Sequence, residues 1–252
     1  MQASRIIIVL VLIAVASTAC VAPFKPRLIR GSGNVIVEDR EVSGFDKIAI
    51  SGVGRVILTQ GDEESLSIET DDNLMEYVKT EVKGDTLEID FTDDIVLSRG
   101  GRNVLDPSAG FIFRISVIDL EAISVSGAAN IQADKLKTDS FSVNFSGAGD
   151  ISVGDLNTKR VDVTVSGAGD VELAGKVENQ SISLSGVGRY QGFDLESQQA
   201  SVFISGAGGA NLWVMESLAV TISGAGDVEY YGDPSVDPEI SGLGRIQSLG
   251  EK

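Results

Sequence analysis

The chain has 252 residues, 42% of them hydrophobic, and a formal net charge of −17. This is enough for one large domain with a real core, and the charge repels phosphate backbones and argues against nucleic acid as a partner. There is no histidine, which removes the commonest general base and the commonest transition-metal ligand together.

In chain order, residues 1–19, MQASRIIIVLVLIAVASTA, place one base, Arg5, before an apolar run from Ile6 to Ala16 and the small residues Ser17, Thr18 and Ala19. This is the form of an export signal peptide. The only cysteine, Cys20, follows directly. Its position resembles the bacterial lipobox, where the thiol receives a diacylglyceryl chain and becomes the mature N-terminus, although Ser17 stands where that motif prefers leucine. Lipidation of Cys20 is the expectation; a secreted protein with a free thiol is the alternative. A single cysteine forms no internal disulfide, so the core must supply the stability. Residues 20–30, with Pro23 and Pro26 and no periodicity, read as the lipidated cysteine and its tether. Val21 gives no inner-membrane retention aspartate, so the expected address is the outer membrane, reached through the N-terminal lipid.

The rest, 31–250, reads as one domain. Its N-terminal part, 31–110, is less regular. It holds one SGVGRV run at 51–56, strand-like stretches such as SLSIET and TLEIDF, and a DNLMEYVKTEV segment with the look of a short helix or cap. SRGGRNVLDPSAG, 98–110, reads as a loop. From 111 to 250 the pattern is periodic. The serines of an SGxG motif stand at 126, 146, 166, 185, 205, 223 and 241, at intervals of 20, 20, 19, 20, 18 and 18. Apolar residues recur one place before and five places after each serine, and three places before and seven places after most of them, alternating with polar ones, which is strand periodicity. A further apolar position at Leu136, Leu156, Val177 and Leu195 suggests a short third side. Two strands, a sharp corner and a third side in 18–20 residues predict an all-β, single-stranded parallel β-helix, with right-handed crossovers the strong expectation. The last segment, YYGDPSVDPEISGLGRIQSLGEK, reads as a final coil that closes the stack.

The repeated motif therefore reads as architecture. Gly147, Gly149, Gly167, Gly169, Gly186, Gly188, Gly206, Gly208, Gly224, Gly226, Gly242 and Gly244 are expected to be corner glycines, needed for positive φ or close approach of neighbouring turns. A dinucleotide loop would need a following helix, and a strand follows each SGxG. The position four places after each serine reads Arg55, Asn130, Asp150, Asp170, Arg189, Gly209, Asp227, Arg245. Asp150 and Asp170, one coil apart at about 4.8 Å, form a candidate cation column that resembles half of a calcium β-roll repeat. Asp170 with Arg189, and Asp227 with Arg245, are expected as coil-to-coil ion pairs, each worth about 0–1 kcal/mol at a surface. No Ser/His/Asp set exists, no carboxylate pair stands out, and no catalytic residue, metal or cofactor is assigned. Aromatics are too few for an evident sugar platform. Trp213, Tyr230 and Tyr231 are the exposed-aromatic candidates, with core or edge packing as the plainer reading.

The order Gly-Phe-Asp at 44–46, Gln-Gly-Asp at 60–62, Asp-Asp-Asn-Leu at 71–74 and Gly-Asp-x-Leu at 84–87, followed by SGxG coils, resembles the head GIN domain of bacterial envelope proteins, described as an auto-transporter adhesin head. The resemblance spans roughly 40–230. It implies a β-helix, frequent lipidation, and no catalytic residues. The expected function is a lipid-anchored envelope module that binds a cell-surface protein or glycan, or serves structurally. A carbohydrate-active β-helix enzyme is the alternative, and it would show convergent acids in a groove.

Overall fold

The computed structural model describes residues 27–92, 95 and 103–252; the export signal and Cys20 lie outside the described residues. The chain is a β-solenoid, as the period predicts. One strand runs into each SGxG corner and another leaves it, and both stack in parallel register along the molecule. On the incoming side Lys47–Ile50 pairs with Ala122–Val125, which pairs in turn with Ser140–Phe145, and so on to Ser235–Ile240. On the outgoing side Val53–Gln60 pairs with Ala128–Ala133, and the column continues to Arg245–Ser248.

The alternation read from the sequence becomes the core. Ile50, Val125, Phe145, Val165, Leu184 and Ile204 form one inner column, and Val56, Ile131, Ile151, Val171, Tyr190 and Ala210 form another; all are buried. Burying a side chain of this size stabilises by about 1.5–3 kcal/mol. No coil can bury its apolar face alone, so that gain exists only in the stack.

Two sequence expectations need correction. The regular run does not begin at 111. Ile112–Val117 pairs in parallel with Val53–Gln60 and antiparallel with Ser65–Asp71, which pairs with Val35–Arg40. These strands cap the end of the stack. The next coil starts at Leu120 and lies on the 44–60 coil: Ser126 N–H donates to the Ile50 carbonyl at 2.9 Å and Ala128 N–H to that of Gly52 at 2.9 Å. The described part of 61–119 is thus an excursion that builds the cap and returns. Gln60 ties exit to return. Its Nε2 donates to the carbonyls of Ile118 and Lys137 at 3.0 and 2.8 Å, and its Oε1 accepts from Lys137 N–H at 2.8 Å. The second correction is Val177. The third-side column is Leu136, Leu156, Gly175 and Leu195, while Val177 stacks on Thr158 and Ser197. The register slips where that coil is shorter.

The cap also absorbs segments read as irregular. Arg27–Arg30, placed in the tether, is a strand paired with Asn103–Asp106, from the stretch read as a loop. DNLMEYVKTEV holds one 3-10 turn, Met75–Tyr77, followed by the strand Val78–Lys83. The Asp-Asp-Asn run clasps the N-terminal arm. Asp71 accepts from Gly33 N–H at 2.8 Å and from Ser108 N–H and Oγ at 2.7 and 2.6 Å. Asp72 accepts from Ser32 Oγ and Asn34 Nδ2 at 2.5 and 2.8 Å, and Asn73 Nδ2 donates to the Arg30 carbonyl at 2.9 Å. Foremost the Ser108 hydroxyl, and then the Ser108 and Gly33 N–H groups, hold the Asp71 carboxyl below its ordinary value of 3.8, against the opposing effect of burial. A depressed folded pKa means stability that is present above 3.8 and lost as pH falls through the lower folded value. Asp71→Asn should therefore unfold earlier in urea near neutral pH, with the gap to wild type closing as the solution is acidified below 3.8 and through the lower folded value. A gap independent of pH would show that the carboxylate charge does not hold the arm.

Among the described residues, the last coil carries no further element on its outer side. Its incoming strand, Ser235–Ile240, is largely exposed. Ser241 N–H bonds back to the Ile222 carbonyl, so by the alternation of a parallel strand Pro238, without an N–H, faces the open edge. Proline and flanking acids, here Asp237 and Glu239, blunt such an edge against pairing with other chains.

Candidate functional site

Three surfaces run the length of the solenoid, and each can be built from its residues. The first is the SGxG corner. Each corner serine N–H donates to the residue before the previous serine, as Ser146 to Val125 at 2.9 Å, and the third corner residue donates to the previous glycine carbonyl, as Ala148 to Gly127 at 2.9 Å. A Cβ at Gly147, Gly167, Gly186, Gly206, Gly224 or Gly242 would collide with the glycine carbonyl oxygen of the preceding coil. Those at Gly149, Gly169, Gly188, Gly208, Gly226 and Gly244 would meet the preceding coil in the same way. Close approach, then, is what the motif provides. Positive φ is needed in this set only at Gly149, with φ +116°. The corner serines are exposed, and Ser146 Oγ reaches back to the Val125 carbonyl at 3.3 Å.

The second surface is the column after the corner. Asn130 Oδ1 accepts from Asp150 N–H at 3.0 Å, Asp150 Oδ1 from Asp170 N–H at 3.1 Å, and Asp170 Oδ1 from Arg189 N–H at 3.0 Å. Each side chain acts as a carbonyl toward the coil above it. The carboxylates of Asp150 and Asp170 are thereby compensated by N–H donors, and no group of three or more potential metal ligands occurs among the described residues. Asp227 repeats the contact with Arg245 N–H at 3.2 Å and also lies 3.4 Å from Arg245 Nη2. Asp170 and Arg189 share only the backbone contact. The second oxygen of Asp170 accepts instead from Gln191 Nε2 at 3.1 Å, so the expected ion pair between these two is not formed. The column is interrupted at Gly209, beside a depression of about 450 Å³ lined by Arg189, Asn211, Asp227 and Glu229.

The third side carries a groove of about 760 Å³, lined by Gln60, Lys137, Asn157, Lys159, Lys176 and Glu196 among others. Two of its acids are engaged by lysines. Asp139 pairs with Lys159 at 2.9 Å and Glu196 with Lys176 at 3.4 Å. The Lys159 ammonium, by hydrogen bond and charge, holds the Asp139 carboxyl below its ordinary value. A glycosidase acid must instead be kept protonated by its surroundings. Below this groove, toward the C-terminal end, the aromatics singled out in the sequence separate. Tyr230 packs against the core, whereas Tyr231 lies against Phe193 with ring centroids 5.1 Å apart. The Lys252 ammonium sits 4.7 Å from the centre of the Trp213 ring and bonds the Phe193 carbonyl and Asp194 at 2.6 and 2.5 Å.

Inside the solenoid lies a polar chain that the periodicity did not announce. Tyr190 OH donates to Gln180 Oε1 at 2.7 Å, Gln180 Nε2 to Ser197 Oγ at 2.7 Å, and Ser197 Oγ to the Trp213 carbonyl at 2.9 Å. Burial pushes the Tyr190 hydroxyl well above its ordinary value, so it stays a proton donor.

The comparisons agree with this architecture. A family model described as "Putative auto-transporter adhesin, head GIN domain" matches residues 44–234. Among solved structures, a "putative adhesin" from Bacteroides fragilis superposes with a TM-score of 0.82 at 24% identity, covering 88% of this chain and 100% of that one. A "putative lipid binding protein" from Parabacteroides distasonis gives 0.73 at 24% identity, with the same coverage. A "putative adhesin" from Parabacteroides merdae gives 0.67 at 22%, covering 88% and 99%. At these identities the likeness establishes the fold. No protein curated for function matches the chain.

Proposed function

We propose, starting from the fact that the chain belongs to the head GIN domain family, that it is an adhesion-type module of the bacterial cell surface. The family match over the coils, 44–234, carries this reading. The geometry supports it: a stiff stack whose outward faces are polar, and in whose groove Asp139 and Glu196 are each paired with a lysine, suits binding better than bond cleavage. Cys20, if acylated, anchors the chain to the outer membrane by its N-terminal lipid. The strand Arg27–Arg30 enters at the cap, so the cap would lie nearest the membrane and the last coil farthest from it.

The experiment is attachment. Beads coated with the full chain are offered to immobilised matrix proteins, glycans and cell-wall fractions. Saturable retention above that of albumin-coated beads on at least one class is expected, and retention equal to albumin on every surface would sink the adhesion reading. The anchor is tested separately: radiolabelled fatty acid should enter the wild-type chain in cells and not Cys20→Ser.

A further inference from the structure

We infer that the third side binds an uncharged glycan chain laid along one outward column, Lys137–Asn157–Lys176–Glu196–Trp213–Tyr231. The inference rests on the adhesion reading and gives it a site and a partner class. These six residues are direct register neighbours on six successive coils, a line of about 24 Å at the spacing of stacked strands. Lys137, Asn157 and Lys176 are exposed, and Glu196, Trp213 and Tyr231 are half-exposed. Four of the six, Lys137, Asn157, Lys176 and Glu196, line the 760 Å³ groove. The other two are aromatic rings: Phe193 is seated against Tyr231, and the Lys252 ammonium, itself a donor to hydroxyls, lies 4.7 Å from the centre of the Trp213 ring.

The order of chemistry along the line points to the ligand. Aromatic faces accept the apolar C–H faces of sugar rings, while ammonium, amide and carboxylate groups together donate to and accept from hydroxyls. A polyanion would meet Asp139, Glu178 and Glu196 on a chain of net charge −17. A polycation would meet Lys137, Lys159 and Lys176. A protein partner calls for a broader apolar centre than one line of half-exposed rings. A hydroxyl-rich chain without charge meets none of these objections.

Trp213 is the only tryptophan in the sequence, so its fluorescence reports the site directly. The full chain is titrated with mannan, laminarin and galactan as neutral probes and with polygalacturonate as a charged one. A saturable change in emission is expected with at least one neutral polymer. Binding should weaken by about tenfold or more, equivalent to about 1.4 kcal/mol, in Tyr231→Ala and in Lys137→Ala. Thr164→Ala, on the incoming strand face, should bind like wild type. If Tyr231→Ala does not fold, the exposed Asn157→Ala takes its place. Emission unmoved by all three neutral polymers, a response to polygalacturonate alone, or neutral binding that survives the column substitutions would each overturn the inference. Silent emission with beads that still attach overturns the glycan site and leaves adhesion standing; silent emission with beads that do not attach removes both.

Discussion

Replacing Gly147 with alanine is expected to destabilise the protein by on the order of 3–5 kcal/mol. The new methyl would point at the Gly127 carbonyl oxygen of the coil before. That oxygen already accepts from Ala148 N–H at 2.9 Å, and Ser146 N–H beside it donates to the Val125 carbonyl at 2.9 Å. The methyl meets only backbone of the preceding coil, so no side chain can swing away, and relief means separating two coils and lengthening the bonds that join them. Gly61 supplies the comparison. Its added methyl would lie 3.5 Å from Ser116 Oγ, an ordinary contact, so Gly61→Ala should stay within about 1 kcal/mol of wild type. Denaturant midpoints of the two variants decide the matter. Equal midpoints would mean that the corner glycines serve something other than close approach.

The second large effect is expected inside the solenoid. Gln180→Leu removes the acceptor of Tyr190 OH and the donor to Ser197 Oγ. It leaves the Tyr190 hydroxyl buried without a partner, while Ser197 keeps the Trp213 carbonyl. An unsatisfied buried group costs about 1–3 kcal/mol, and the lost bond to Ser197 adds about 1 kcal/mol, so the expected loss is about 2–4 kcal/mol. Tyr190→Phe alone orphans only the Gln180 oxygen and should cost about 1–3 kcal/mol. The double variant carries the diagnostic. With hydroxyl and amide both gone, its cost should fall below the sum of the two singles, giving a coupling of about 1 kcal/mol or more. Strict additivity would show that the bond between Tyr190 and Gln180 contributes nothing specific, and that the singles only disturb packing.

Why a polar chain at this place? Tyr190 stands in the inner column between Val171 and Ala210. Its ring needs the room left by Gly192, where an added methyl would fall 2.6 Å from a ring carbon. A phenol that deep requires an acceptor, and Gln180 provides it from the next side of the triangle. Each substitution looks like a lapse in the periodic pattern when read singly. Together they form one satisfied unit, and only their three-dimensional meeting reveals it.

The N-terminal region illustrates the same division. SGVGRV at 51–56 announces a corner, but the next corner serine along the chain is the distant Ser126. In space the two corners are adjacent, and the Ile50 carbonyl accepts directly from Ser126 N–H. Nothing local distinguishes Ile112–Val117 from a coil strand, because its alternation is that of any half-buried strand. What assigns it to the cap is pairing on both edges, with Val53–Gln60 and with Ser65–Asp71. Likewise the Asp-Asp-Asn run reads as a weak family mark until the structure folds Ser32, Asn34 and Ser108 around it.

Sequence alone suffices for the two strand columns on either side of the SGxG corner. Their side chains alternate with a period of two, and the corner glycines lock each coil onto the one before, so the serine spacing carries the register through every repeat. The third side is settled only by folding. Corner spacings range from 18 to 20 residues, and since the corner cannot absorb the difference, the third side does. Its register slips between Val153 and Leu156, between Glu172 and Gly175, and between Gly192 and Glu196. Those slips move Val177 out of the leucine column and align Trp213 with Glu196 and Tyr231. A surface whose register is set by insertions and deletions leaves no periodic trace, and the outward column proposed for ligand binding lies on that surface.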